Sequence, residues 1–121
     1  MDVKSTADRA LIESMVSQAD VFVQNLAPGA SARLGLGAAD LLARYPRLIA
    51  VDIVGYGQDT PSRDMRAYDM LIQAESGLCA VTGTPDTPVK VGVSLADVAT
   101  GMTAHAAVLE ALLERAITGK G

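Results

Sequence analysis

The segment VGVSLADVATG, residues 91–101, sets one carboxylate, Asp97, among small and apolar residues. The run that follows, MTAHAAVLEALLERA, has helical character, which puts Asp97 in the first turn of a long helix. Two roles suit an acid there. Ser94 followed by Asp97 fits an N-cap with an acid at the third helical position, a capping box in which Asp stands for the usual Glu. The same place also suits covalent chemistry. The N-terminal amides of a helix favour an anion, and Ala96, Ala99 and Gly101 leave room for a substrate. An ionised carboxylate with open space around it is a candidate nucleophile. The residues themselves leave both roles open.

Other chemistry finds less support. His105 is the sole histidine and has no Cys/His/Asp cluster at metal-ligand spacing around it, so no metal is expected. Cys79, the sole cysteine, reads as a buried small residue. No nucleophile-elbow motif anchors a Ser-His-Asp triad. GASARLGLG departs from the dinucleotide fingerprint, and VTGTPDTP lacks the Gly-Lys-Ser/Thr ending of a P-loop. Open α/β sheets bind ligands beyond the carboxyl ends of their strands. Two such ends are legible: Gln24, Asn25, Leu26 and Ala27 after one strand, and Gly55, Tyr56 and Gly57 after another. The plain alternative is connecting loops. Tyr68 and Gln73 fall on an expected helix with Asp69 and Gln73 four residues apart, which an amphipathic surface helix would also explain.

The elements that must position these residues follow from periodicity. MDVK reads as the end of a strand. STADRALIESMVSQA reads as a helix with Ser5 as N-cap and Ala10, Leu11, Met15 and Val16 on its apolar face. DVFVQN (20–25) and RLIAVDIVG (47–55) read as buried strands. Between them, Pro28 suits a first helical turn, Gly35 a helix end, and AADLLARYP (38–46) a short helix. RAYDMLIQAESG (66–77) reads as a helix, and 78–93 as mostly irregular. The last helix, from Ser94 to about Ile117, carries an apolar stripe through Leu95, Val98, Met102, Val108, Leu109, Leu112 and Leu113. Apolar strands separated by helices give an α/β fold: a partial Rossmann-like parallel sheet with flanking helices. So few strands make a poor sheet, and residues 1–121 are expected to be a fragment of a larger fold.

Bulk properties narrow the partners. The 121 residues suit one domain, and half of them are hydrophobic, so folding is expected. A formal charge of −4 argues against a nucleic-acid partner. Arg63, Arg66 and Lys90 could still hold a small anion. With no leader, no disulfide pair and no apolar run of membrane-spanning length, a cytoplasmic protein without a membrane association is expected.

Taken together, ADVFVQNLAPGASARLGL, PRLIAVDIVGYG, AYDMLIQAESG, VTGTPDTPVKVGVSLADVATG and ALLERAITGKG resemble the class III coenzyme A transferases of the CaiB/BaiF type. That family includes formyl-CoA transferase, carnitine CoA-transferase and the α-methylacyl-CoA racemases. The resemblance runs in unbroken order from about Asp2 to Gly121. It implies transfer of coenzyme A between an acyl-CoA and a small carboxylic acid. Asp97 would be the catalytic aspartate, forming an aspartyl mixed anhydride and then an aspartyl-CoA thioester. Coenzyme A enters as a thioester substrate, and no permanently bound cofactor is implied. Asn25, Leu26 and Ala27 would line the CoA site, Arg33 would lie near the nucleotide phosphates, and Arg66 and Tyr68 would contact CoA or the active site.

Two departures from the family pattern matter. Related racemases place a histidine where this chain has Tyr68, and a phenol is a poor replacement for a histidine base, so transfer is favoured over racemisation. The complete family fold also has an earlier nucleotide-fold segment, a later small domain and a C-terminal return to the large domain, through which a homodimer interlocks. Those parts are absent here, so the fragment is not expected to turn over substrate by itself. A noncatalytic CoA-binding fragment, with Asp97 only capping its helix, is the remaining alternative.

Overall fold

The computed structural model describes residues 2–3 and 5–121. The chain divides into two compact units, one of Met1–Ile53 with Ala107–Gly121 and one of Val54–Ala106.

The first unit opens with α1 (Thr6–Val16), capped by Ser5, whose Oγ accepts the Asp8 amide at 3.5 Å. The strand expected over MDVK does not form at Asp2 and Val3, where the chain turns; Met1 and Lys4 lie outside the described residues. β1 (Val21–Gln24) and β2 (Ile49–Asp52) pair in parallel, with Val21 opposite Ile49 and Gln24 opposite Asp52. A parallel pair needs a crossover. Here it is made by α2 (Ala30–Arg33) and α3 (Ala38–Arg44). Pro28 precedes α2 rather than starting it. It takes the second place of a four-residue turn in which Gly29 has φ +69° and the Ala30 amide donates to the Ala27 carbonyl at 2.9 Å. Proline followed by a positive-φ glycine is the type II arrangement.

Val16, Leu36, Leu41 and Leu48 form the core, with Ile12, Phe22, Leu34, Tyr45 and Ala50 packed against it. The buried edge of α1 is therefore Ile12 and Val16, while Ala10, Leu11 and Met15 face outward, contrary to the sequence expectation. Val23 is also half exposed, because the described residues supply a sheet of two strands rather than one covered on both faces. The end of α6 (Leu95–Thr118) closes this unit: Arg115 donates to Asp20 Oδ1 at 2.7 Å and to the Arg47 carbonyl at 2.9 Å.

In the second unit α4 spans Asp69–Glu75, three residues shorter at its start than predicted. Tyr68 is extended at φ −139° and ψ 151°, so it precedes the helix rather than lying on it. α5 (Leu78–Thr82) forms where an irregular segment was expected, and Cys79 is half-buried rather than buried. Thr84 and Thr87 then exchange backbone hydrogen bonds across Pro85–Asp86. The apolar stripe expected along α6 is also displaced. Its half-buried residues include Ala104, Val108, Ala111, Leu112 and Arg115, whereas Leu95, Val98, Met102, Leu109 and Leu113 are exposed. No helix among the described residues is long and apolar enough to cross a membrane.

Candidate functional site

At the end of β1, Gln24 organises the backbone that follows. Its side chain is buried, its Nε2 donates to Asp52 Oδ1 at 2.9 Å and to Ser31 Oγ at 3.3 Å, and its Oε1 accepts the Leu26 amide at 2.7 Å. Asp52, its register partner on β2, also accepts the Ala38 amide at 3.2 Å. One glutamine thus ties two strands, α2 and the loop together. Asn25, Leu26 and Ala27 emerge exposed from this anchor. Arg33 joins them from α2: a Cβ built on Gly29 would lie 3.0 Å from Arg33 Nη1, so the guanidinium lies over the Pro28–Gly29 turn. Four of the residues singled out from the sequence therefore share one loop and its flanking helix.

The other three, Arg66, Tyr68 and Asp97, belong to the second unit. All are exposed, Tyr68 to 65 %. Tyr68 precedes, and Asp97 follows, a residue of a buried polar cluster at the start of α4. Asp69 is 9 % exposed and Gln73 is fully buried. Asp69 Oδ2 accepts from Gln73 Nε2 at 2.9 Å and pairs with Lys90 Nζ at 3.3 Å. Its Oδ1 accepts the Ala96 amide at 2.9 Å. Gln73 Oε1 accepts the Val91 amide at 2.9 Å, and its Nε2 reaches the Val93 carbonyl at 3.3 Å. Burial pushes the Asp69 carboxyl up, but the hydrogen bonds from Gln73, from the Ala96 amide and from Lys90 outweigh it and hold the carboxyl below its ordinary value.

This arrangement revises the expected cap of α6. The Ser94 carbonyl accepts the Val98 amide at 3.0 Å, so the helix does begin there. Neither the Ser94 hydroxyl nor the Asp97 carboxylate makes a capping bond among the described residues; the Ala96 amide is satisfied by Asp69 of another helix instead. Asp97 is left exposed in the first turn, with no hydrogen bond or ion pair among the described residues. Tyr68 and Asp97 each sit one residue from the Asp69–Ala96 hydrogen bond.

In the sequence Asp69 and Gln73 stand out by their spacing but not their role, and Lys90 only as a cation that could hold a small anion. The signal available was an aspartate and a glutamine on one helix face upstream of a Lys-Val-Gly-Val run, which fixes no geometry by itself. His105 is exposed on α6, and the described residues contain no group of three or more His, Cys, Asp or Glu placed to hold a metal. An open groove of about 630 Å³ in the first unit, between α1 and residues 34–44, carries none of the candidate residues.

A family model described as CoA-transferase family III matches residues 1–121, and the chain belongs to that family. It is 38 % identical over 122 residues to the succinyl-CoA:glutarate CoA-transferase of Mus musculus, covering 100 % of this chain and 28 % of that protein. It is 40 % identical over 123 residues to the acetyl-CoA:oxalate CoA-transferase of Acetobacter aceti, covering 100 % of this chain and 32 % of that one. The crystal structure of a CaiB/BaiF family protein from Brucella suis matches with a TM-score of 0.93 at 38 % identity, over 99 % of this chain and 32 % of that chain. The fold is thus the CaiB/BaiF fold in part. The chain spans under a third of each of these proteins.

Proposed function

We propose that the complete protein transfers coenzyme A between an acyl-CoA and a small carboxylic acid, with Asp97 as the nucleophile. The observation that carries this reading is the state of Asp97: an exposed carboxylate in the first turn of a 24-residue helix, unengaged among the described residues. An aspartate kept for capping would be bonded to backbone, and here Asp69 supplies that bond instead. Family membership and the names of the relatives support the same reaction class.

The chemistry balances without an external acid, base or redox partner. An Asp97 oxygen attacks the thioester carbonyl carbon, the C–S bond breaks, and CoA leaves as thiolate, giving a mixed anhydride of Asp97 with the donor acyl group. The thiolate attacks the Asp97 carbonyl carbon, releasing the donor carboxylate and leaving an aspartyl-CoA thioester. An acceptor carboxylate then attacks that thioester, and the returning thiolate takes the acceptor acyl group and frees Asp97. Splitting one exchange into steps between similar acyl groups keeps each intermediate accessible.

In this reading Asn25, Leu26 and Ala27 line the pantetheine path, with backbone groups at a strand end available to it. Arg33 is exposed, carries no ion pair among the described residues, and supplies a planar cation for phosphate. Arg66 and Tyr68 contact CoA or the reacting groups. The interlocked homodimer and cytoplasmic location belong to the same proposal.

Asp97→Asn in the complete protein tests the role. Loss of turnover by more than about a thousandfold is expected for a missing nucleophile. Retained turnover would rule out Asp97 as the nucleophile.

A further inference from the structure

Buried polar groups are costly unless all their bonds are made, and a fully satisfied cluster fixes one geometry. Asp69, Gln73 and Lys90 meet that condition, and no buried side-chain polar atom among the described residues lacks a partner. The direction of their bonds is informative. Beyond their contacts with each other, these side chains bond to a single stretch of backbone. Gln73 takes the Val91 amide and the Val93 carbonyl. Lys90 Nζ donates to the Val91 carbonyl at 3.0 Å and the Val93 carbonyl at 3.4 Å. Asp69 takes the Ala96 amide. The next residue is Asp97.

An aliphatic trio in the same place would anchor α4 without fixing the entry of α6. The polar trio pins this path at the Val91 amide and carbonyl, the Val93 carbonyl and the Ala96 amide. We infer that Asp69, Gln73 and Lys90 form a clamp that positions the first turn of α6, and with it the carboxylate of Asp97. The inference rests on the function proposed above in so far as Asp97 is the reacting group; the clamp itself does not. Asp69 is then a positioning residue, acting through Ala96, and Lys90 neutralises it at the rim while Gln73 locks the floor.

Two variants of the complete protein test this. Asp69→Asn keeps the shape and one acceptor but turns an amide NH2 toward Gln73 Nε2 and Lys90, which only donate there. Lys90→Met keeps the aliphatic stem and removes the cation at a half-buried position. Amide hydrogen exchange over residues 91–98 is expected to quicken at least tenfold or so in both, as a local opening would. Turnover is expected to fall about tenfold or more while KM for the acyl-CoA stays within about twofold, the pattern of a lost orientation rather than lost binding. Unchanged exchange over 91–98 in Lys90→Met overturns the clamp, as does a rise in KM that accounts for the whole loss. If Asp69→Asn fails to fold, Lys90→Met decides. If the wild type forms no covalent adduct at Asp97, the proposed reaction fails, and the exchange measurement still judges the clamp.

Discussion

Asp69 Oδ1 accepts the backbone amide of Ala96 at 2.9 Å, so a side chain at the first position of α4 caps α6, twenty-seven residues further along. The usual helix entry is capped by its own neighbours. Borrowing the cap from another helix leaves the acid of the first turn, Asp97, without a structural duty. It also couples the stability of the second unit to the charge of Asp69.

That coupling has a sign. The Asp69 carboxyl is held below its ordinary value in the folded chain, so the folded state binds its proton less readily than the unfolded one. Its stabilising contribution is present above the ordinary aspartate range, about pH 4, and is lost as pH falls through that range toward the lowered folded value. Urea midpoints measured between about pH 5 and pH 3 should fall more steeply for the wild type than for Asp69→Asn. Parallel slopes would show that Asp69 titrates as it does in the unfolded chain. Glu13, lowered by hydrogen bonds from Tyr45 and Arg44, adds to both slopes and cancels in the comparison.

Gly55 meets Ala67 at close range: a Cβ built on Gly55 would lie 2.0 Å from Ala67 Cβ. An alanine side chain has no rotamer by which to withdraw, so the backbone must move. Gly55→Ala should displace residues 66–68 and raise KM for acyl-CoA several-fold, since Arg66 and Tyr68 flank the contact; steady-state kinetics of the complete protein would check this. An unchanged KM would remove Arg66 and Tyr68 from the binding surface.

Gln24→Ala removes the side chain that joins Asp52, Ser31 and the Leu26 amide. The loop of Asn25, Leu26 and Ala27 loses its anchor, and Asp52 loses a donor. Weaker CoA binding by calorimetry, by about five- to tenfold, is expected, equivalent to one neutral hydrogen bond of about 1 kcal/mol or slightly more. The conservative Gln24→Glu should not restore it, because a second carboxylate would face Asp52.

Leu41 is fully buried against Val16, Leu36 and Leu48. Leu41→Ala should cost about 2–5 kcal/mol in the unfolding of the first unit, by lost burial and the cavity left behind. Chemical denaturation measures it. Leu11→Ala and Met15→Ala, on the exposed side of α1, should each change stability by less than about 0.5 kcal/mol.

These contrasts mark what the sequence could and could not disclose. The two paired strands and most helices were legible in order, because Val21–Gln24 and Ile49–Asp52 lie in largely apolar runs between turn residues and Ser5 announces α1, whereas α5 and the turn at Asp2 and Val3 were not. The burial of individual residues was not. Periodicity locates an apolar stripe but not its partner, so Leu11 and Met15, and Val98 and Met102 on α6, fall on the expected stripes yet lie exposed. The start of α4 was misplaced because Ala67 and Tyr68 have acceptable helix propensity. Tyr68 is extended instead, and Ala67 is packed against Gly55, a tertiary contact that local propensity does not reveal. Asp97 drew notice as an isolated acid, and its reading as a capping box followed from local spacing. No local rule shows that Asp69, twenty-eight residues earlier, takes the bond.

In the proposed reaction Asp97 carries the acyl group and then coenzyme A. The complete protein would be incubated with an acyl-CoA donor without acceptor, quenched, digested and analysed by peptide mass spectrometry. An acyl or CoA adduct is expected on the peptide containing Asp97, formed within one turnover and discharged when an acceptor acid is added. An unmodified Asp97 in an enzyme that turns over normally would contradict it.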